Sequence, residues 1–158
     1  MVLLLTLLSV IALAYLCVSI GVSEGIPSSL SETYYILGKR GWLFQIVMCF
    51  IGVFLQLVWY QVSKDEHEFL VFVSCSSLCF VALAPAFRIG LQGKVHYSAA
   101  FACVLSVFGW QVLEGLWDVA LFFIFMCGVI ILKDKSKWCW WLEISAIGSL
   151  FSNLWRII

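Results

Sequence analysis

The sequence predicts an all-α integral membrane protein: a six-transmembrane-helix bundle with a short interfacial helix between spans one and two. Of its 158 residues, 64% are apolar and 11% are charged, whereas soluble domains average about 45–50% and about 25%. Its apolar runs are continuous and approach the ~20 residues that cross a bilayer. Lipid permits only helix bundles and closed barrels, and barrel strands alternate polar and apolar residues over about ten positions. The unbroken runs therefore favour helices.

The predicted spans leave no room for a soluble domain, so residues 1–158 form a single transmembrane domain. The spans cover about residues 2–20, 42–62, 69–87, 97–113, 116–132 and 138–155. We interpret the first run as a span because it lacks the basic start and clear cleavage site of a signal peptide. Only Glu114, Gly115 and Asp118 interrupt the run between spans four and five, which predicts a tight helical hairpin.

The connector between spans one and two, residues 23–41, is the longest. Ser29 and Glu32 fit the S-x-x-E capping box, in which each side chain accepts from a free backbone N–H. Gly38 is a candidate C-cap. We therefore predict a short helix from about Leu30 to Leu37. It is either an amphipathic connector or a segment that covers a site and contacts lipid.

The positive charges are distributed unevenly between the predicted loops. Lys64 and Arg156 lie on one side, and the other side carries Lys39, Arg40, Arg88, Lys94, Lys133, Lys135 and Lys137. The positive-inside rule then places both termini outside, in what we expect to be a bacterial inner membrane. The net charge of zero gives no electrostatic basis for nucleic-acid binding.

Small residues on spans three, four and six recur every three or four positions, which places them on one face of each helix. Small faces let helices approach closely in lipid. We therefore expect these three spans to form the packed centre, and a polar pathway along the serines is the alternative.

Glu143 is the first candidate for a functional residue, because an ionisable residue inside a membrane is costly. It precedes a polar stripe on span six that includes Ser145, Ser149 and Asn153. The carboxylate either pairs with a loop cation such as Lys137 or forms a proton or cation site.

His96 is the second candidate, because it opens span four near the cations Arg88 and Lys94 and could bind an anionic lipid headgroup. Glu114 and Asp118, with Gln111, would share a helix face if the helix continued through them, and could bind a cation or act as an acid/base pair. As hairpin residues they would simply mark the water boundary. We expect no cofactor and no metal, since His67 and His96 flank opposite ends of span three and a zinc enzyme usually needs three protein ligands.

The chain resembles small bacterial multi-span membrane proteins and, distantly, the DRAM/Sfk-type six-span family. The features that carry the resemblance are the segment from Ser28 to Tyr35, Gly41-Trp42 at the start of span two, and the stretch from Pro85 to His96 with the small residues that follow it. The resemblance implies a role with membrane lipids or in trafficking, and no defined reaction.

Three hypotheses for the function follow. The first is a non-enzymatic channel, transporter or lipid-binding unit, as a homo-oligomer. The second is an intramembrane lipid-modifying enzyme that uses His96 with Arg88 and Lys94. The third is an accessory subunit that binds another membrane protein. No catalytic residue is assigned from sequence alone.

Overall fold

The computed structural model describes residues 1–86 and 89–158, with side chains described for all of these except Ala86 and residues 89–92. Helices make up the regular structure of this described chain, and it contains no strand. The helices are α1 Val2–Val22, α2 Glu32–Ile36, α3 Trp42–Tyr60, α4 Glu68–Leu83, α5 Ile89–Leu113, α6 Trp117–Lys133 and α7 Trp138–Ile157. Single 3₁₀ turns lie at Gly38–Arg40, Asp65–His67, Ala84–Ala86 and Lys135–Lys137.

Four segments are long and apolar enough to cross a membrane: Val2–Val22, Gly38–Tyr60, Asp65–Leu83 and Gly93–Leu113. They confirm that the chain is helical and support its location in a membrane. The predicted spans correspond to α1, α3, α4, α5, α6 and α7, and their limits differ by a few residues, except at α5. That helix begins at Ile89, eight residues before the predicted start of span four at Tyr97. The residues between these two positions, several of them polar, belong to the same helix.

The long helices run up and down, so that alternate connectors meet at the same end of the bundle. At one end, the first connector contacts α5 through His96 and α7 through Glu143. At the opposite end, Lys64 of the α3–α4 connector contacts Glu114 in the α5–α6 connector. This arrangement brings residues that are distant in sequence into two polar clusters.

The core lies between α1, α3, α4, α5 and α7, and α6 packs outside this ring. Each of the five helices contributes buried apolar side chains to one cluster, among them Leu5, Leu8, Leu55, Val71, Trp110 and Leu154. In α6 the buried residues are Ala120 and Cys127. The expectation that spans three, four and six form the centre is therefore too narrow, since α1 and α3 contribute as much to this core.

Close approaches between the long helices occur at two glycines. A Cβ at Gly52 would lie 3.1 Å from the carbonyl oxygen of Cys75, which brings α3 against α4. A Cβ at Gly148 would lie 2.6 Å from the Phe123 ring, where α6 meets α7. These approaches match the role of small residues in packing membrane helices.

Candidate functional site

The first connector folds back into the end of the bundle and is held there by α7. The backbone N–H of Leu30 donates to Oε2 of Glu143 at 2.7 Å, and the N–H of Trp140 donates to the Ser28 carbonyl at 3.0 Å. The thiol of Cys139 also hydrogen-bonds Glu143. In the described chain no Lys, Arg or His nitrogen lies within 4.0 Å of the Glu143 carboxylate. The pair with Lys137, one of the two alternatives for Glu143, is therefore not formed, and the carboxylate faces the connector backbone.

The predicted capping box forms only in part, because α2 is shorter than the predicted helix from Leu30 to Leu37 and has Ser31 rather than Ser29 at its N-cap. The N–H of Glu32 donates to Ser29 Oγ at 3.2 Å, but the Glu32 carboxylate accepts from the N–H of Ser28 at 2.5 Å rather than from that of Ser29. This backbone hydrogen bond lowers the pKa of Glu32 below its ordinary value, and nearby Lys137 adds to the effect. Gly38 has φ +53°, as a C-terminal helix cap requires, and ends the short helix α2.

Thr33 ties the same connector to α1. Its hydroxyl donates to the Leu30 carbonyl at 2.6 Å, and it forms a short hydrogen bond with the Tyr15 hydroxyl. Thr33 is fully buried. The connector is thus packed into the bundle end by contacts to both α1 and α7.

Ser31 and His96 face each other at this end. Ser31 Oγ lies 3.0 Å from Nε2 of His96, and Ser29 Oγ lies 3.0 Å from Ser31 Oγ. The His96 ring also forms a hydrogen bond with the backbone of Val81 in α4. His96 is therefore oriented by two helices and the connector.

A cleft of about 510 Å³ opens beside this pair. Its lining is largely polar or aromatic and includes Ser28, Ser29, Ser31, His96, Tyr97 and Trp138. Next to it, inside the helix ring, lies a smaller cavity of about 100 Å³, lined mainly by apolar side chains and by Glu143. We call these the cleft and the inner cavity. Ser31, Phe44 and Val81 line both spaces.

Of the two cations predicted beside His96, the structure describes only Lys94. Lys94 is exposed, and Arg88 lies outside the described residues. Ser145 is buried on α7. Among the described residues, the side chain that hydrogen-bonds His96 is therefore Ser31 of the connector.

Ser149 and Asn153 belong to a second cluster, towards the opposite end of the bundle. Gln111 donates to Ser149 Oγ at 3.1 Å, and Asn153 donates to Gln111 Oε1 at 2.8 Å and to the Leu116 carbonyl at 3.3 Å. Gln111, Ser149 and Asn153 have no exposed surface. Glu143 and these residues therefore do not form one polar stripe, and the buried amides join α5 to α7.

Glu114 and Asp118 are also separated, because α5 ends at Leu113 and Gly115 turns the chain with φ +77°. Glu114 accepts from the N–H of Lys64 and from Nδ1 of His67, both at 2.9 Å. Asp118 instead accepts from Arg156 at 2.5 Å. The shared face with Gln111 does not form, since the helix does not continue through these positions.

Burial alone would raise the pKa of the Glu114 carboxyl. The hydrogen bonds from Lys64 and His67, together with the electrostatic attraction of these two residues, outweigh burial and hold the pKa below its ordinary value. No group of three or more potential metal ligands comes together among the described residues. The contacts of Glu114 with Lys64 and His67 join the α5–α6 connector to the α3–α4 connector.

The fold and these clusters define a class, a helical membrane protein with a polar cleft at one end of its bundle. Comparison with protein-family models, curated proteins and solved structures found no match for this chain. The function must therefore be argued from the site itself.

Sequence reasoning identified Glu143 and His96 but missed Ser31 and the Leu30 backbone. The signal available was weak: a serine-rich stretch just before a short helix. Serines are common in such turns because they cap backbone groups, so their number alone did not indicate which of them faces His96.

Proposed function

We propose that this chain is a six-span integral membrane protein that binds a lipid at the connector end of its bundle. The headgroup occupies the cleft, and a short apolar part of the lipid reaches the inner cavity. The observation that carries the proposal is that Ser31, Phe44 and Val81 line both spaces, of which the cleft has many polar and aromatic side chains and the inner cavity is mainly apolar. Such an arrangement matches the two chemical halves of a lipid.

The exposed surface of α6 supports six spans rather than four. Its 17 residues correspond to about 25 Å of helix, close to the ~30 Å hydrocarbon thickness. Large apolar side chains project from it, namely Leu121, Phe122, Ile124, Phe125, Met126 and Leu132. Water would disfavour this surface and lipid would not. With α7 of 20 residues beside it, two further crossings complete the bundle.

The charge distribution supports an orientation in which the cleft faces the cytoplasm, with both termini outside. The cleft adjoins the connectors that carry Lys39, Arg40, Lys135 and Lys137. Cationic side chains at this depth attract anionic lipid headgroups. The setting we propose is the bacterial inner membrane.

The core favours lipid binding over conduction. Buried side chains along its centre are apolar, including Leu8, Leu55, Val71 and Leu150. The buried amides at Gln111 and Asn153 are joined to each other and do not line the cleft. An ion pathway needs polar groups along its length.

Photo-crosslinking tests lipid binding. The protein is reconstituted in nanodiscs of phosphatidylethanolamine and phosphatidylglycerol with a phosphatidylglycerol that carries a diazirine near its headgroup. Peptide mapping should show labels concentrated around Tyr97 and Trp138. Uniform labelling of the whole lipid-facing surface contradicts the proposal.

A blocking variant sharpens the test. Gly93 lines the cleft, and a Cβ there meets open space, so Gly93→Trp should partly fill the cleft and reduce labelling. Gly128 in α6 also has open space around it, and Gly128→Trp serves as the matched control that should leave labelling at the cleft unchanged.

A further inference from the structure

The contact between Ser31 and His96 has the geometry of an activated nucleophile. A hydroxyl and a histidine within about 2.6–3.2 Å of each other, with the histidine oriented by a third group, form the arrangement that enzymes use for covalent catalysis. Here the Oγ to Nε2 distance is 3.0 Å, and the third group is the Val81 backbone.

The contacts around the pair allow the Ser31 proton to reach His96. The N–H of Glu32 donates to Ser29 Oγ, and Ser29 Oγ lies within hydrogen-bond distance of Ser31 Oγ. In the tautomer of His96 that carries its proton on Nδ1, Nε2 can only accept, and the Ser31 hydroxyl then donates to it. That tautomer is the one a general base needs.

The surroundings hold Ser31 in place. Its preceding residue, Leu30, donates to Glu143, and Thr33 two positions on is bonded to α1. Ser31 has about 9% of its surface exposed, and it lines both the cleft and the inner cavity. A carbonyl group between a polar headgroup and an apolar chain would therefore reach Ser31 Oγ.

We propose that Ser31 and His96 form a nucleophile and general-base pair that transfers the acyl group of a lipid ester to water. The proposal rests on the lipid site described above and assigns a reaction to it. The substrate class is a lipid whose acyl chain is joined to its headgroup portion through an ester.

The step balances without any further cofactor. Ser31 Oγ attacks the ester carbon while its proton passes to Nε2 of His96, and the tetrahedral intermediate then expels the alcohol, which takes that proton. Water next attacks the acyl-serine, its proton passing to Nε2 and then to Ser31 Oγ as the fatty acid leaves. In the described chain, the N–H of Ser31 makes none of the turn hydrogen bonds of this segment, and we assign it to the developing oxyanion.

The first test labels the wild-type protein, so it does not depend on the folding of a variant. A fluorophosphonate with a decyl chain reacts with activated serines, and peptide mass spectrometry should find the adduct on Ser31. An adduct confined to other serines, or no adduct after prolonged exposure, overturns the proposal.

The second test measures hydrolysis of a fluorogenic medium-chain fatty-acid ester by the protein in nanodiscs. Ser31→Ala and His96→Ala should each lose about 100-fold or more, the contribution typical of a general base. His67→Ala and Ser63→Ala change the same residue types at the opposite end of the bundle and should retain the rate. Equal rates in all four variants overturn the pair.

Crosslinking of the diazirine lipid separates the two proposals. If Ser31→Ala keeps wild-type labelling at the cleft but the wild type shows no hydrolysis, lipid binding stands and catalysis fails. If the wild type shows neither, both fail. A melting temperature for each variant in detergent establishes that a lost rate does not reflect lost folding.

Discussion

The carboxylate of Glu143 accepts a hydrogen bond from the backbone N–H of Leu30 at 2.7 Å. This contact joins α7 to the first connector, although the two residues are 113 positions apart in the sequence. It holds Leu30 next to Ser31, which contacts His96. A buried carboxylate that binds a backbone N–H organises a loop, and here that loop forms one wall of the cleft.

Replacing Glu143 should distinguish hydrogen bonding from charge. Glu143→Gln keeps an oxygen that accepts from Leu30 and should stay within about 1 kcal/mol of the wild type. Glu143→Ala leaves the N–H unpaired and should lose about 1–3 kcal/mol. Unfolding in mixed micelles measures both, and hydrogen exchange should speed up in residues 28–33 for the alanine variant. Asp65→Asn, at an exposed loop position, is the control. Equal losses for Gln and Ala would show that the charge matters instead.

Gln111 and Asn153 should be energetically coupled. Their hydrogen bond at 2.8 Å lies between α5 and α7, and such bonds in membrane proteins contribute about 0.6 kcal/mol on average and up to about 1.7. A double-mutant cycle with Gln111→Leu and Asn153→Leu should return a coupling in this range. Additive losses, with no coupling, would mean that each amide acts alone.

Glu114 should make the stability fall in acid. The folded-state pKa of Glu114 lies below the ordinary value of 4.5, so the unfolded chain takes up this proton first as the pH drops. The stabilisation is complete above about pH 4.5 and disappears as the pH falls through the folded-state pKa. Melting temperatures across this range should decline less steeply in Glu114→Gln. Gln61→Ala, at an exposed position without a titratable group, should decline like the wild type.

Gly52 and Gly128 should respond in opposite ways to alanine. A methyl at Gly52 would press on the Cys75 carbonyl oxygen at 3.1 Å and on Cys79 Sγ at 3.0 Å, and overpacking costs about 1–3 kcal/mol. At Gly128 nothing lies within 4 Å of the new Cβ, so alanine should stabilise the helix by up to about 1 kcal/mol. Thermal unfolding in detergent compares the two. A loss at both positions would indicate that α6 has an additional packing partner.

Fusion reporters test the proposed six crossings. Alkaline phosphatase fused after Ile158 should be active, since the enzyme folds outside the cytoplasm, and a fluorescent protein inserted after Lys135 should fluoresce because it folds inside. Both signals follow from six spans with outside termini. A bundle of four spans, with α6 and α7 on the surface, would place both reporters on the same side.

The helices were predictable because their signal is local. Each apolar run is long enough to specify a helix by itself, and the turn at Glu114 and Gly115 was marked by the polar residues that interrupt the run. The start of α5 was not predictable. Gln92, Gly93 and Lys94 have the composition of a loop, although the helix includes them.

The site was predictable only in part because its contacts are distant in sequence. Glu143 and His96 were selected for the cost of ionisable groups in lipid, yet their partners are a backbone N–H and a hydroxyl in the first connector. Every residue except proline carries a backbone N–H, so the amino-acid sequence does not indicate which of these groups binds Glu143. Ser149 and Asn153 were placed with Glu143 because they share a helix, and the length of that helix puts them in a separate cluster.

The indole N–H of Trp155 donates to Ser9 Oγ at 3.1 Å, and Leu154 belongs to the same core cluster as Leu5 and Leu8. The ring of helices therefore closes between α1 and α7. During synthesis, α1 reaches the membrane long before α7 leaves the ribosome, and one side of α1 has no protein neighbour in that interval. We expect a chain stopped before α7 to remain inserted yet unassembled, and to be recognised by the proteases that remove orphan membrane segments.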